Sequence, residues 1–485
     1  MKAILFAIVA VLALTGVVRA KAPDSWAFVV LGQNKAGATV AMARVAIDMA
    51  GQVCPALTGT GPLSLTAKGL PSIAMTPRVN PNPTNFPVTV CEAILPPLGA
   101  YSTGSVTLSA VSLTKTPERV VVFGDSGCKN DAKQACDKPH DWPFQEIAGV
   151  AAGEKPDLLI HVGDYNYRGT PGTIVVNGQS VHTYDAGDAD DEDGAAPFPP
   201  LPYYSQTMIG SSVPDAWDAW KKDFFEPAST LLASAPWIFV RGNHELCSRA
   251  GPGFLYLLDP GSSLAGMGGQ FACPSQNAVA GGPSPLVFVP PYTVTLGNLA
   301  FAMIDTVNAD DTGSTYPGVY KPQMAGLVAA IAKSKTPTWV VTHRPFWGIE
   351  KGDGGVAQVI NATLDLALGA TPLKAFPPNV ALVVSGHMHR FQAMSFSGGK
   401  GMQPNQIIVG TGGVRLGKSF PTQSGNAPFT APVGAFTATG VGLSEFGLMR
   451  IDVGSGGAWT GKFKDRKGNT LADCGGSTPG VCTLR

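Results

Sequence analysis

The chain is poor in charge. Asp, Glu, Lys and Arg make up only 14% of its 485 residues, and 34 basic side chains balance 34 acidic ones. Neither a basic run nor a basic stripe is present, which excludes the electrostatic footprint of a nucleic-acid binder. Long apolar runs are also scarce. Only residues 3 to about 14 are continuously apolar, short of the about 20 residues that a membrane-spanning helix needs. No C-x-x-C pair occurs, so a zinc knuckle has little support. No convincing internal repeat of solenoid period is found.

What is present begins with "MKAILFAIVAVLALTGVVRA", a positive end, an apolar middle and a small residue at position 20. These are the marks of a secretory signal peptide over residues 1–20, cleaved after Ala20. A secreted or periplasmic protein with no membrane segment after cleavage is expected, in preference to an anchored one. Eight cysteines in an exported chain suggest disulfides. Short range favours Cys54–Cys91, Cys128–Cys136, Cys247–Cys273 and Cys474–Cys482. The chain is 44% hydrophobic with a mean hydropathy of +0.13, enough core for more than one folding unit.

Residues 21–116 are rich in Thr, Val, Pro and Gly. "FPVTVCEAIL" and "GSVTLSAVSLT" read as strands of a small β-rich N-terminal domain without a titratable cluster. From 117 to 455 buried-strand patterns alternate with helical ones, which predicts an α/β sheet covered on both faces. Helices are expected within "PFQEIAGVAAG", "AWDAWKKDFFEPASTLLAS" and "KPQMAGLVAAIAKS". Residues 456–485 read as a C-terminal strand or tail closed by a disulfide. The acid-rich stretch 184–204 fails the EF-hand register, because Asp193 stands where Gly is required. A solvated loop is the better reading there, and a lid the alternative.

Five strand patterns end in ligand-type residues: "RVVVFGD", "DLLIHVGD", "PWIFVRGNHE", "TWVVTHRP" and "ALVVSGHMH". Ligands of open α/β sheets bind beyond the carboxyl ends of the strands, so these tips point at one site. Asp125, Asp164, Tyr167, Asn243, His343, His387 and His389 supply oxygen and imidazole donors suited to two adjacent hard or borderline metal ions. A Gly-Asp turn alone is usually only a turn. A full series of ligand-bearing tips is not.

The series GD…GD…GNHE…H…GHxH resembles the calcineurin-type metallophosphoesterases, and GDxG followed by GDxxY resembles the purple acid phosphatases. The likeness covers residues 119–413, with "GDSGC", "HVGDYNYR" and "FVRGNHELC" similar to an exported bacterial branch. It implies a metallophosphoesterase αββα sandwich and phosphate-ester hydrolysis through a metal-activated hydroxide. Most relatives carry a histidine two residues after the first aspartate, where this chain has Gly127. Tyr167 fills the vacancy, and a phenolate favours a hard ion. By resemblance, Asp125, Tyr167 and His389 hold ferric iron. Asn243, His343 and His387 hold a divalent ion (iron, zinc or manganese), and Asp164 bridges the two.

His244, beside a ligand, is the candidate proton donor to the leaving alkoxide, with a tethering role as the alternative. The histidine pair that plant purple acid phosphatases carry after the His343 position is missing. Of four arginines beside the motifs, Arg168 and Arg241 are the candidates for gripping phosphate, while Arg344 and Arg390 read as structural. His161 reads as core, and Asp305 as a possible support to a ligand. "GGVRLGKS" at 412–419 matches the P-loop spacing, but the proline-rich stretch that follows cannot open a helix. Asn361-Ala-Thr363 is a glycosylation sequon. The expected activity is phosphate monoester hydrolysis of a small-molecule substrate. The alternatives are phosphodiester or nucleotide cleavage on the same core, or a non-catalytic binding protein.

Overall fold

Strands such as Arg119–Phe123 and Leu158–His161 carry few polar side chains, so they are stable only with both faces covered. The computed structural model describes residues 23–60, 72–96, 99–104, 106–129, 134–167, 173–176, 179–182, 215–247, 249–264, 267–273, 287–309, 311, 316–351, 357–359, 361–398, 403–417, 427–475 and 482–485. Among these residues the strands form two large sheets of eleven and eight strands, with smaller sheets beside them. Arg119–Phe123, Leu158–His161, Pro236–Phe239 and Ser25–Gln33 run parallel in the centre of the first. Leu299–Met303, Thr338–Val341, Val380–Ser385 and Asn405–Val409 do the same in the second.

Alternation along each strand sorts the side chains into layers. Val120, Val122, Leu158, Ile160 and Ile238 meet Phe301, Trp339, Leu382 and Val384 between the sheets. Val121, Phe123, Leu159, Trp237 and Phe239 face the other way. They pack against Phe144, Ile147, Ala148 and Ala151 of the Phe144–Gly153 helix, whose spacing puts those four on one stripe. On the outer face of the second sheet, Ala302, Val340 and Val383 lie with Tyr320 and Met324 of helix Pro317–Ser334 and Leu364 of helix Ala362–Gly369. The fold is the expected αββα sandwich.

One helix differs from its sequence pattern. Across 216–234 only Trp217–Trp220 is α-helical, and Lys221–Phe225 is a π-helical turn. Pro227 has no N–H for a continuing ladder, and Glu226 N instead bonds back to Lys221 O at 2.9 Å.

The N-terminal segment is β-rich, and Ser25–Gln33, Thr39–Ile47, Thr76–Pro77 and Thr89–Ile94 hydrogen-bond as members of the first large sheet. They also carry a buried latch. Arg78 donates to Leu255 O (2.8 Å), Tyr256 O (2.8 Å), Gly261 O (2.9 Å) and Glu92 Oε2 (2.6 Å). Arg44 donates to Leu257 O (2.9 Å) and Asp259 O (2.7 Å). Several of these carbonyls belong to the C-terminal end of helix Gly251–Leu257, where the helix itself offers no donors. That helix follows the Asn243–His244 turn, so the N-terminal strands brace the chain directly after the third tip.

The disulfides are Cys54–Cys91, Cys128–Cys136, Cys247–Cys273 and Cys474–Cys482, as short range suggested. Among the described residues, no helix is long and apolar enough to cross a membrane.

Arg78→Met leaves the Glu92 carboxylate and several carbonyls short of a buried donor. Its expected effect is a loss of about 3–5 kcal/mol of unfolding free energy, read as a lower urea midpoint at unchanged slope. A midpoint equal to wild type rules out the latch as a stabilising device.

Candidate metal centre

The strand ends meet, and their backbones bond to one another beyond the sheet. Val162 N donates to Phe123 O (2.9 Å), Asp125 N to Gly163 O (2.8 Å) and Ser126 N to Asp164 O (3.0 Å). The two Gly-Asp turns are therefore one hydrogen-bonded unit. Asp125, Asp164, His387 and His389 all adopt positive φ, at 56°, 58°, 75° and 50°. Such backbone costs roughly 1–3 kcal/mol per residue and persists only where the surroundings impose it.

Tyr167 completes one half of the site. Its hydroxyl lies 2.9 Å from Asp164 Oδ2, 3.1 Å from Asp125 Oδ1 and 3.0 Å from His389 Nε2. At Gly127 an added Cβ would stand 2.5 Å from Tyr165 O. The backbone leading to Tyr167 fills the space that a side chain at 127 would need.

Asn243, His343 and His387 form the other half. His343 Nδ1 donates to Val162 O (2.8 Å), so the neutral ring has its lone pair on Nε2. That lone pair faces Asn243 Oδ1 (2.8 Å) and Asp164 Oδ2 (3.3 Å). His387 Nδ1 lies 3.0 Å from the same amide oxygen. Acceptors converging this closely need a proton or a cation between them.

Two of the acidic groups here lack compensating charge. Burial and then Asp164 push the Asp125 carboxyl well above its ordinary range. Burial also works against an ionised Asp164, but His343 and His244, when protonated, outweigh it and hold that carboxyl well below the usual value. Burial, Asp125 and Asp164 drive the Tyr167 phenol well above 10. Among the described residues neither carboxylate pairs with a lysine or arginine. Asp164, His343 and His387, and likewise Asp125, Asp164 and His389, bring ligand atoms within 4.8 Å of one another, with Asp164 common to both. At Gly242 and Gly386 a Cβ would come within 2.1 Å of Asp164 Oδ1 and 2.4 Å of Asp125 Oδ2. The donors, their burial and these close glycines fit the binding of metal ions here.

His244 is 4% exposed. Its backbone N–H donates to Asp164 Oδ1 (2.9 Å), and its ring lies 4.0 Å from that of Tyr167. Arg241 is committed elsewhere, to Glu245 O (2.8 Å), Val287 O (2.7 Å) and Asp305 Oδ2 (3.2 Å). Asp305 also accepts from Val289 N and Val307 N, so it shapes a neighbouring loop. Arg390 donates to Met388 O. Arg168, the 184–204 stretch, and Lys418 and Ser419 of the P-loop-like run lie outside the described residues. The rest of that run supports the first aspartate, with Gly412 N donating to Gly124 O (2.8 Å) and Val414 N to Asp125 O (2.9 Å). The next described element is the strand Ala427–Val433.

Two residues of the site were missed in the sequence. Glu245 stands inside "GNHE", yet its role appears only in three dimensions. It accepts from Tyr165 N (2.9 Å), Asp164 N (3.0 Å) and Gly242 N (2.9 Å), pinning the second tip to the third. Asp311, which touches His387, follows no recognisable motif.

The family model of the calcineurin-like phosphoesterases matches residues 118–391, which include every one of these tips. The chain belongs to this family. It is a metallophosphoesterase. No curated protein matches it in sequence. Among solved structures it is similar to the purple acid phosphatase PPD1 from yellow lupin (Lupinus luteus) seeds. The TM-score is 0.52 at 13% identity, over 96% of this chain and 75% of that one. PhoD aligns with a TM-score of 0.45 at 12% identity, over 93% of this chain and 89% of that one.

His161 braces the site without joining it. Its Nδ1 accepts from Gly163 N (3.2 Å), so Nε2–H donates to Ser126 Oγ (2.8 Å), and the ring stacks on Tyr165 at 3.9 Å. Burial holds its pKa well below 6.5. The folded ring stays neutral while the unfolded one takes up a proton near its ordinary value. This contribution to stability is therefore complete above that value and declines below it, by up to about 1.4 kcal/mol per pH unit. An NMR titration of the His161 ring should show a midpoint well under 6.5, and a midpoint at or above that value contradicts the arrangement.

Proposed function

We propose that this chain is an exported phosphomonoesterase of the purple acid phosphatase type, with residues 1–20 removed on export and a ferric–divalent metal pair. The observation that carries the reading is the position of the Tyr167 hydroxyl among Asp125, Asp164 and His389. A buried phenol beside two carboxylates keeps its proton unless a strongly acidic cation displaces it, and hard anionic oxygen suits ferric iron. Asp125, Tyr167 and His389 would hold that ion, and Asn243, His343 and His387 the divalent partner (iron, zinc or manganese). Asp164 would serve both. Two bound ions supply Lewis acidity, which lowers the pKa of water and offsets charge on the phosphoryl oxygens.

The protein's own contribution is placement. Glu245 and the paired Gly-Asp turns fix Asp164 before substrate arrives, so the centre need not reorganise during reaction. His244 has its backbone fixed by Asp164 and its imidazole against Tyr167, beside Asn243. It is the group that would give the leaving alkoxide its proton. Four disulfides are consistent with an oxidising compartment.

The purified protein should contain two metal ions, iron among them, and show a visible charge-transfer band that Tyr167→Phe abolishes. A colourless wild-type protein holding two divalent ions would remove Tyr167 from a ferric site. The same preparation should hydrolyse p-nitrophenyl phosphate faster than bis(p-nitrophenyl) phosphate; the opposite order favours the diesterase alternative.

His244→Ala should lower kcat on an alkyl phosphate by roughly 10²–10⁴-fold. On p-nitrophenyl phosphate, whose leaving group needs little protonation, the loss should be much smaller. Equal losses on both substrates would mean that His244 is not the proton donor.

A further inference from the structure

One buried carboxylate with no place in the ligand set touches it from outside. Asp311, 5% exposed, lies between strand Leu299–Met303 and helix Pro317–Ser334. Its Oδ2 is 2.5 Å from Arg344 Nη1 and 2.8 Å from His387 Nε2. Its Oδ1 accepts from Asn361 Nδ2 at 2.9 Å, and its backbone carbonyl accepts from Ala362 N at 2.9 Å. Asn361 in turn caps helix Ala362–Gly369, its Oδ1 accepting from Leu364 N at 2.8 Å. Asp311 is thus clamped from two elements and presents one oxygen to one imidazole.

The proton on that imidazole follows from what its neighbours can do. A guanidinium only donates, and the carboxylate paired with it only accepts. The carboxylate at 2.8 Å therefore favours hydrogen on His387 Nε2 over a lone pair there. Arg344 Nη1 lies 3.1 Å from the same nitrogen; with hydrogen on Nε2 both are donors, and Asp311 Oδ2 is their shared acceptor. The lone pair of the neutral ring is left on Nδ1, the atom that faces Asn243 Oδ1 at 3.0 Å. In His343 the corresponding proton is held by the backbone carbonyl of Val162. In His387 it depends on a side chain.

We propose that Asp311 is a positioning residue for the divalent half of the centre. It fixes the tautomer and ring orientation of His387 and makes Nδ1 a better donor, as carboxylates behind ligand histidines do. The proposal rests on the dinuclear reading above. It assigns Arg344 and Asn361 the task of keeping Asp311 in place.

The test uses the full chain loaded with Zn²⁺ and titrated against a chromophoric chelator, as wild type, Asp311→Ala and Asp311→Asn. Asp311→Ala should weaken one of two bound ions by about 10–100-fold and leave the other unchanged. Asp311→Asn, whose amide oxygen can still accept from Nε2–H, should recover part of the loss. Because Asp311→Ala also removes a buried acceptor from Arg344 and could unfold, a second measurement uses wild type alone. Nitrogen-15 NMR of the metal-stripped protein should find His387 with its hydrogen on Nε2. Two Zn²⁺ ions held equally well by all three proteins, or hydrogen on Nδ1, would overturn the assignment of Asp311. Wild type retaining fewer than two ions would instead bring down the dinuclear reading, and this proposal with it.

Discussion

Everything in this centre depends on the bonding around Asp164. Its carboxylate accepts from His244 N and Tyr167 Oη and lies against His343. Its own N–H is held by Glu245, and its carbonyl receives Ser126 N from the neighbouring turn. A carboxylate so held cannot relax away from a second buried carboxylate. The resulting crowd of oxygens is tolerable only with a proton or a cation among them. Sheet, turns and cation site are in that sense one construction.

The parts of the molecule far from the tips serve the same end. The N-terminal strands extend the first sheet next to Pro236–Phe239, and their buried arginines grip the helix that follows Asn243 and His244. Two disulfides also begin close to the candidate ligands, one at Cys128 after Asp125 and one at Cys247 after His244. Precision at a metal centre needs support from residues that never meet the ion. Here part of that support arrives from N-terminal strands that carry no catalytic motif.

The strand tips, the layer order and the disulfide pairs were legible because each has a local sequence form: a β-branched run, a Gly-Asp turn, cysteines close together. At Gly127 the structure shows that a side chain would meet the backbone leading to Tyr167. What escaped were the residues defined by long-range contact. Asp311 reaches His387 across 76 positions, and nothing around "NADDTG" marks it. Arg241 looked suited to phosphate because it adjoins a motif, but adjacency in sequence does not say where a guanidinium points. The π-turn at Lys221–Phe225 escaped for a different reason. Its apolar periodicity is genuinely helical, and a single proline changed the hydrogen-bond register.

Asn361 gives the fold a practical consequence. Its sequon resembles a sugar acceptor, yet the side chain is fully buried, with its amide nitrogen bonded to Asp311 and its oxygen to the helix behind it. A glycan attached there would take a donor from that arrangement and add bulk where there is no room. In a eukaryotic secretory host the modified fraction and the correctly folded fraction would be mutually exclusive. Whatever cell makes this protein, the folded molecule is the one without a sugar at that position.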